Sequence, residues 1–173
     1  VSSLSSFGNQ VVSTFSTPQS YSVSGDNLTN NIVITPPDNF EISLSGSSGF
    51  DSAPITLTQT GGTVNSTTIY VRFAPQLADG PNSGNIIHES VGAVTENVSI
   101  SGNAISTEPS TQSAISFGTV TQSSIVVNLA GGNGNRRIVV ARAASAVNFV
   151  PTDGSPIVGP NNDFGLATDQ GNG

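Results

Sequence analysis

The sequence predicts an all-β protein built from antiparallel β-sandwiches in tandem, the second of them incomplete within this chain. Three observations predict it. Apolar and polar residues alternate through most of the first hundred positions, the apolar ones are largely Val and Ile, and Gly- and Pro-containing turns separate the runs. Period-two alternation is the pattern of a strand with one buried face, and regular turn spacing of roughly 8–12 residues is typical of sandwiches. No stretch carries apolar residues at helical spacing over several turns.

About eight strands are predicted in the first hundred residues. The clearest alternation is in FEISL, where Phe40 and Ile42 share a face, and in TTIYVRF, where Ile69 and Val71 share one. Val98 and Ile100 repeat the pattern in NVSISG. The predicted strands cover 10–16, 20–25, 30–35, 40–44, 54–59, 67–73, the surroundings of Ile86 and Ile87, and 97–102.

The pattern changes near residue 105. Residues 1–105 are predicted to form the first sandwich, 106–112 a linker around Pro109, and 113–173 a partial second sandwich. Its predicted strands are 114–120, 123–129 and 136–142, with GGNGN (131–135) as a hairpin loop and a weaker fourth strand around 156–158. So few strands leave a sheet face uncovered. We therefore expect either a longer protein or missing strands supplied by another chain.

Charge and composition exclude several functions. The net charge is −7 with four Arg and no Lys, which argues against nucleic acid, because phosphate binding needs clustered cations. Without Cys there are no disulfides, thiolate metal sites or thiol nucleophiles. A Lys-free, Ser- and Thr-rich chain is typical of proteins outside the cell. No run approaches the length of a membrane helix, so membrane insertion is not expected.

The segment YVRFAPQLADGPNSGNIIHES, followed by ENVSISGNA, resembles the immunoglobulin-like repeats of the abnormal-spindle/hydin type found in secreted bacterial proteins. The opening LSSFGNQVVSTFSTPQSYSVSGDNL resembles the variant common in surface and secreted proteins of Bacteroidota. The matching positions are Phe73, Pro75, Gly80, Ser83, Gly84, Ile86, Val98, Ile100 and Gly102.

The second part, from EPSTQSAISFGTV to NFVPTDG, resembles the start of a fibronectin type III module, with Leu129 where that family usually carries Trp. The resemblance implies tandem immunoglobulin-like sandwiches exported by type IX secretion. In such proteins these modules are spacers or binding modules beside other domains of the same polypeptide. It implies no catalytic residues.

One loop is a candidate calcium site. DGPNSGN places Asp79, Asn82 and Asn85 together, and Ca²⁺ prefers oxygen ligands from flexible loops. Turn chemistry alone also explains these residues. A second such loop is PNNDFG, with Asn161, Asn162 and Asp163. No other cofactor is expected.

Three further sites, one of them a pair of arginines, carry chemistry. His88 is the sole imidazole, and Glu89 beside it would point to the opposite strand face, so we predict a surface histidine without a catalytic partner. Ser52 in Asp51-Ser52-Ala53 resembles the O-glycosylation acceptor of Bacteroidota. The adjacent Arg136 and Arg137 are candidates for contact with an acidic neighbouring domain.

The sequence therefore predicts a non-catalytic extracellular module, structural or adhesive, that serves as a stalk or spacer of a bacterial surface or secreted protein. Two alternatives stay open. The chain is a self-assembling fibre subunit, completed by strands from a like subunit, or it is an accessory module of a secreted hydrolase or nuclease.

Overall fold

The computed structural model describes residues 2–77, 80–134, 137–152, 155, 157, 159–161 and 163–169. Across these ranges the regular structure is ten β-strands with no helix, so the all-β prediction is confirmed. The chain divides into two compact units, Val1–Ser106 and Thr107–Gly173. The strands are β1 (Asn9–Val11), β2 (Gln19–Gly25), β3 (Ile32–Thr35), β4 (Phe40–Ser43), β5 (Ile55–Leu57), β6 (Val64–Phe73), β7 (Gly80–Glu89), β8 (Glu96–Ile105), β9 (Ala114–Val120) and β10 (Ile125–Ala130).

The first unit is a two-layer sandwich. One sheet has the order β1-β8-β7-β3-β5 and the other the order β2-β6-β4. The alternating apolar residues of both sheets face each other. Between the sheets, the ring centroids of Phe40 and Phe73 lie 4.8 Å apart. The buried core consists of Tyr21, Ile32, Ile34, Phe40, Ile42, Leu57, Val64, Ile69, Val71, Phe73, Ile86, Val98, Ile100 and Ala104.

The first strand departs from the antiparallel prediction. β1 pairs with β8 in parallel, with Asn9 opposite Asn103 and Val11 opposite Ile105. The remaining strand pairs of this unit are antiparallel. A parallel partner more than ninety residues away leaves no turn signal in the sequence, because turns mark only neighbouring antiparallel strands.

The predicted turn over 79–85 is wrong for Gly80–Asn85, which belong to β7. This strand pairs with β8 in continuous register from Gly80 opposite Ala104 to His88 opposite Glu96. Glycine is needed inside the strand, because a Cβ on Gly84 would lie 2.7 Å from Cβ of Pro37. A glycine that reads as a turn residue is here a site of close packing.

The second unit contains one antiparallel hairpin among its described residues. β9 and β10 pair with Ile115 opposite Leu129 and Phe117 opposite Val127. Their turn is closed by the bond from Thr121 N to Ser124 O, 2.8 Å. These four large apolar residues lie on one face, and every residue of both strands is exposed.

The predicted third strand at 136–142 is wrong over its described part, because Arg137–Arg142 form no strand. Arg137 instead donates to Ser113 Oγ at 2.9 Å and to the carbonyl of Gly131 at 2.6 Å. GGNGN therefore does not connect two paired strands. Of the strand predicted around 156–158, positions 156 and 158 lie outside the described residues, as does Arg136, and the described Ile157 is not in a strand.

Candidate functional site

An open cleft lies at one end of the first unit, beside β2 and the turn between β7 and β8. Its volume is about 350 Å³, and Tyr21 and His88 contribute to its wall. Apolar side chains of Val23 and Leu28 line it, and the carboxylate residue Glu96 stands among its lining residues. The cleft therefore combines an apolar wall with the one histidine of the chain.

Tyr21 and His88 join the two sheets through a buried hydrogen bond. Tyr21 lies on β2 and His88 on β7, and the distance between Tyr21 Oη and His88 Nε2 is 2.8 Å. The rings meet edge to face, with centroids 5.4 Å apart. His88 Nδ1 lies 3.2 Å from the backbone carbonyl oxygen of Glu96. A carbonyl accepts only, so Nδ1 carries the proton and Nε2 accepts the tyrosine hydroxyl.

Burial favours the neutral form of both groups. It raises the pKa of Tyr21 well above its usual range. It also lowers the pKa of His88, against the opposing influence of bonds to the carbonyls of Glu96 and Ile86 and the charge of Glu96. A desolvated imidazole favours its uncharged form.

The prediction of a surface histidine is wrong, since His88 is 8% exposed. The strand pattern could have indicated the burial of His88, because His88 lies on the same face of the strand as the buried Ile86. The apolar Ile87 on the other face made it unclear which face is buried. Glu89 is exposed on the opposite face, as the strand geometry predicts. Among the described residues no serine hydroxyl bonds to His88, and Ser90 Oγ donates to Asn30 O at 2.9 Å.

β7 does not bring the residues of the predicted calcium site together. Asn82 and Asn85 lie three positions apart on β7, half-buried and exposed respectively, and so face opposite sides of the sheet. Asn82 Oδ1 accepts from Asn39 Nδ2 at 2.8 Å, and Asn85 Oδ1 accepts from Ser99 Oγ at 2.9 Å. Asp79 lies outside the described residues, so the calcium site stays a prediction.

In the second candidate loop the oxygens bond to backbone. Asn161 Oδ1 accepts from Asp163 N and Asp163 Oδ1 from Gly165 N, each at 2.9 Å, while Asn162 lies outside the described residues. Over the part of the chain that is described, no three His, Asp or Glu side chains gather as a metal site.

Ser52 stands in an exposed turn between β4 and β5. Asp51 pairs with Ile42 through two backbone bonds, and its carboxylate accepts from Ala53 N at 2.9 Å. The turn is thus fixed from within while Ser52 faces solvent, a placement that gives a modifying enzyme access to the hydroxyl.

A cluster around Arg72 was not predicted from the sequence. Its guanidinium lies 3.6 Å from the ring centroid of Phe15 and 4.6 Å from that of Phe50, and it forms an ion pair with Glu41 at 2.6 Å. Glu41 and Arg72 are directly opposed on β4 and β6. Both occupy polar positions of alternating strands, but their register could not be read before the pairing was known.

No family model matches this chain, and neither does any curated protein. In the described ranges there is no helix long and apolar enough to cross a membrane.

Proposed function

We propose that this chain is a non-catalytic structural or adhesive module, a stalk or spacer, of a bacterial surface or secreted multidomain protein. It would consist of an immunoglobulin-like sandwich followed by a fibronectin type III-like module. Its partners would be neighbouring domains of the same polypeptide or like subunits. The resemblance of the sequence to Bacteroidota surface proteins supports this setting.

The observation that carries the proposal is the internal use of the only histidine. Both of its ring nitrogens are hydrogen-bonded within the fold, to Tyr21 and to the Glu96 carbonyl. In the described part of the chain, no buried side-chain nitrogen or oxygen lacks a hydrogen-bond partner. Shifted pKa values in a cleft often mark a functional site, but burial is the main cause of both shifts here and the shared hydrogen bond joins the two sheets, so we assign the pair to the stability of the sandwich.

The exposed faces of the long strands support the same role. Ser83, Asn85, Asn97 and Ser99 occupy exposed positions of β7 and β8, and Ser99 bonds to Asn85 across the two strands. These four side chains are uncharged hydroxyls and amides. Such groups hydrate well, which suits a module that separates other domains.

Surface labelling tests the proposed setting. An antibody against the purified chain should label intact cells of the producing bacterium, or their medium, as strongly as lysed cells. A cytosolic enzyme detected in parallel controls for lysis. Labelling that requires lysis would overturn the extracellular assignment.

Replacing the module with an unrelated domain distinguishes a spacer from an adhesin. An unrelated sandwich of similar length should preserve the function of the parent protein if the module is a spacer. Loss of attachment to a surface, with secretion unchanged, would identify an adhesin instead.

A second candidate function is a self-assembling fibre subunit, favoured by the apolar face of the β9–β10 hairpin. Ile115, Phe117, Val127 and Leu129 are exposed together on this face. An exposed apolar strand pair is a template for pairing with another chain.

Concentration-dependent light scattering tests the fibre. Assembly should weaken in Phe117→Ser, whereas Val94→Ser, which alters an even more exposed apolar residue of the first unit, should leave it unchanged. A chain that stays monomeric at high concentration would exclude this function.

A further inference from the structure

The N-terminal segment, residues 2–12, runs alongside β8 and in the same direction. Backbone bonds follow the two chains along their length, from Ser2 beside Ser99 to Val12 beside Ile105. They are Ser99 N to Ser2 O at 3.0 Å, Leu4 N to Ser99 O at 3.0 Å, Phe7 N to Ser101 O at 2.8 Å, Asn103 N to Gly8 O at 2.8 Å and Val12 N to Ile105 O at 3.0 Å. We refer to this set of bonds as the terminal ladder.

Side chains hold the terminal ladder against the sandwich. Leu4 and Phe7 pack on the core, and the ring of Phe7 lies 5.8 Å from that of Phe40. Across the ladder, Asn103 Nδ2 donates to Asn9 Oδ1 at 2.7 Å. Breaking the ladder therefore also exposes apolar surface, which adds to the cost of separating the two strands.

The direction of the strands decides how the ladder responds to force. β8 is the last strand of the first unit and ends one residue before its boundary at Ser106. Because the paired strands are parallel, the two ends of the unit leave from opposite ends of the ladder. Tension between these ends pulls the strands past each other and loads all the bonds together. Antiparallel terminal strands would instead be peeled apart one bond at a time.

We propose that the terminal ladder is a mechanical clamp that lets the first unit bear tension along the chain. This deepens the proposed spacer function and rests on it, since a stalk or spacer is the setting in which tension reaches both ends. Forced unfolding is governed by the unfolding barrier. The clamp raises this barrier for one pulling direction, beyond what the equilibrium stability of the unit provides.

Single-molecule pulling of the full chain tests the clamp directly. The sequence contains no Cys, so two introduced cysteines are the sole attachment points. Ser2→Cys with Ser106→Cys loads the ladder in shear. Ser2→Cys with Thr95→Cys attaches both strands at the same end of the ladder and peels them. All three positions are exposed, and both variants should match the parent in urea denaturation.

The clamp predicts a rupture force several-fold higher in the shear geometry than in the peeling geometry. Equal rupture forces in the two geometries would overturn it. That result would leave the spacer proposal standing, because the replacement experiment above tests separation of domains and does not depend on rupture force. Conversely, if the parent protein loses its function when this module is replaced, the spacer proposal is contradicted, but the rupture forces measured for the clamp are not affected.

A backbone variant gives a second test. Val12→Pro removes the amide that donates to Ile105 O, and Thr60→Pro removes the amide that donates to Thr63 O at 2.9 Å, in a turn away from the ladder. Both substitutions delete one backbone donor. The clamp predicts that only Val12→Pro lowers the shear rupture force when the two are compared at equal chemical stability. An equal reduction by both variants would count against the clamp.

Discussion

In the first unit, β4 and β6 bury Phe40 and Phe73 between two sheets, whereas in the second unit β9 leaves Phe117 69% exposed. β6 and β9 are both rich in β-branched and aromatic residues. β6 lies between β2 and β4 and faces a second sheet, while β9 pairs, within the described part of the second unit, with β10 alone. None of the described residues of the second unit is buried.

The difference shows that forming strands and forming a buried core have different requirements. Alternation and β-propensity are enough to form a hairpin, because cross-strand pairs lie within a few residues of a turn. A core requires a second layer to cover the apolar face, and a two-stranded hairpin is marginal in water without one. The stability of this chain should therefore reside in the first unit.

Truncating one phenylalanine in each unit should give the largest contrast. Phe73→Ala removes a fully buried ring and should destabilise the first unit by about 3–5 kcal/mol. Phe117→Ala removes an exposed ring and should cost less than about 0.5 kcal/mol. Urea denaturation should be followed by far-ultraviolet circular dichroism, which reports the strands of both units, because both tyrosines lie in the first unit and tyrosine fluorescence would report that unit alone. Comparable losses in the two variants would remove the distinction between the units.

Adding a methyl group to a strand glycine should have a smaller effect. A Cβ on Gly102 would lie 2.6 Å from Cδ1 of the buried Phe73, so Gly102→Ala should cost about 1–3 kcal/mol through overpacking. The matched variant Gly118→Ala places a Cβ 3.2 Å from Val126 on the exposed hairpin. It should leave the unfolding midpoint, followed by far-ultraviolet circular dichroism, unchanged. A tolerated Gly102→Ala would mean that the core is looser than described.

Removing the hydroxyl of Tyr21 tests the link between the sheets. Tyr21→Phe leaves Nε2 of His88 without its donor inside the fold, which should cost about 1–3 kcal/mol. Tyr70→Phe removes a hydroxyl from a half-buried ring and should change stability by less than about 0.5 kcal/mol. The remaining tyrosine reports each transition. Equal costs would argue that the Tyr21–His88 bond contributes nothing specific.

The same pair predicts a small pH dependence. Because burial lowers the pKa of His88 below its ordinary value of 6.5, the unfolded chain binds the proton more readily than the folded one. Stability should be full above pH 6.5 and decline as the pH falls through the folded pKa. In His88→Gln, which does not titrate, the decline between about pH 7.5 and 5.5 should be absent. An unaltered decline would assign it to the carboxylates.

The sequence predicted the elements whose signals are local. Phe40, Ile42, Ile69 and Val71 occupy the buried positions that alternation assigns them, and β9 has the predicted bounds. The predictions from sequence were wrong where a partner strand far away in the sequence determines the structure. β1 pairs in parallel with a strand at the far end of its unit, and Gly80–Asn85 look like a turn until β8 provides their register.

Much of the candidate site also depends on such pairing. The bond between Tyr21 and His88 spans 67 positions of sequence and both sheets, so neither residue signals the other. For Arg137–Arg142 the opposite error occurs, because a strand is predicted where none forms. Their apolar run predicts a strand, but β-propensity forms one only where a neighbouring strand accepts its backbone bonds.

The most direct measurement for the central comparison is residue-resolved hydrogen exchange of the dilute, monomeric chain. We expect slow exchange for the paired amides of β6, β7 and β8, limited by unfolding of the first unit, and fast exchange throughout β9 and β10. Protection of β9 and β10 equal to that of β6 would contradict it. That result would mean that the second unit covers its apolar face within a single chain.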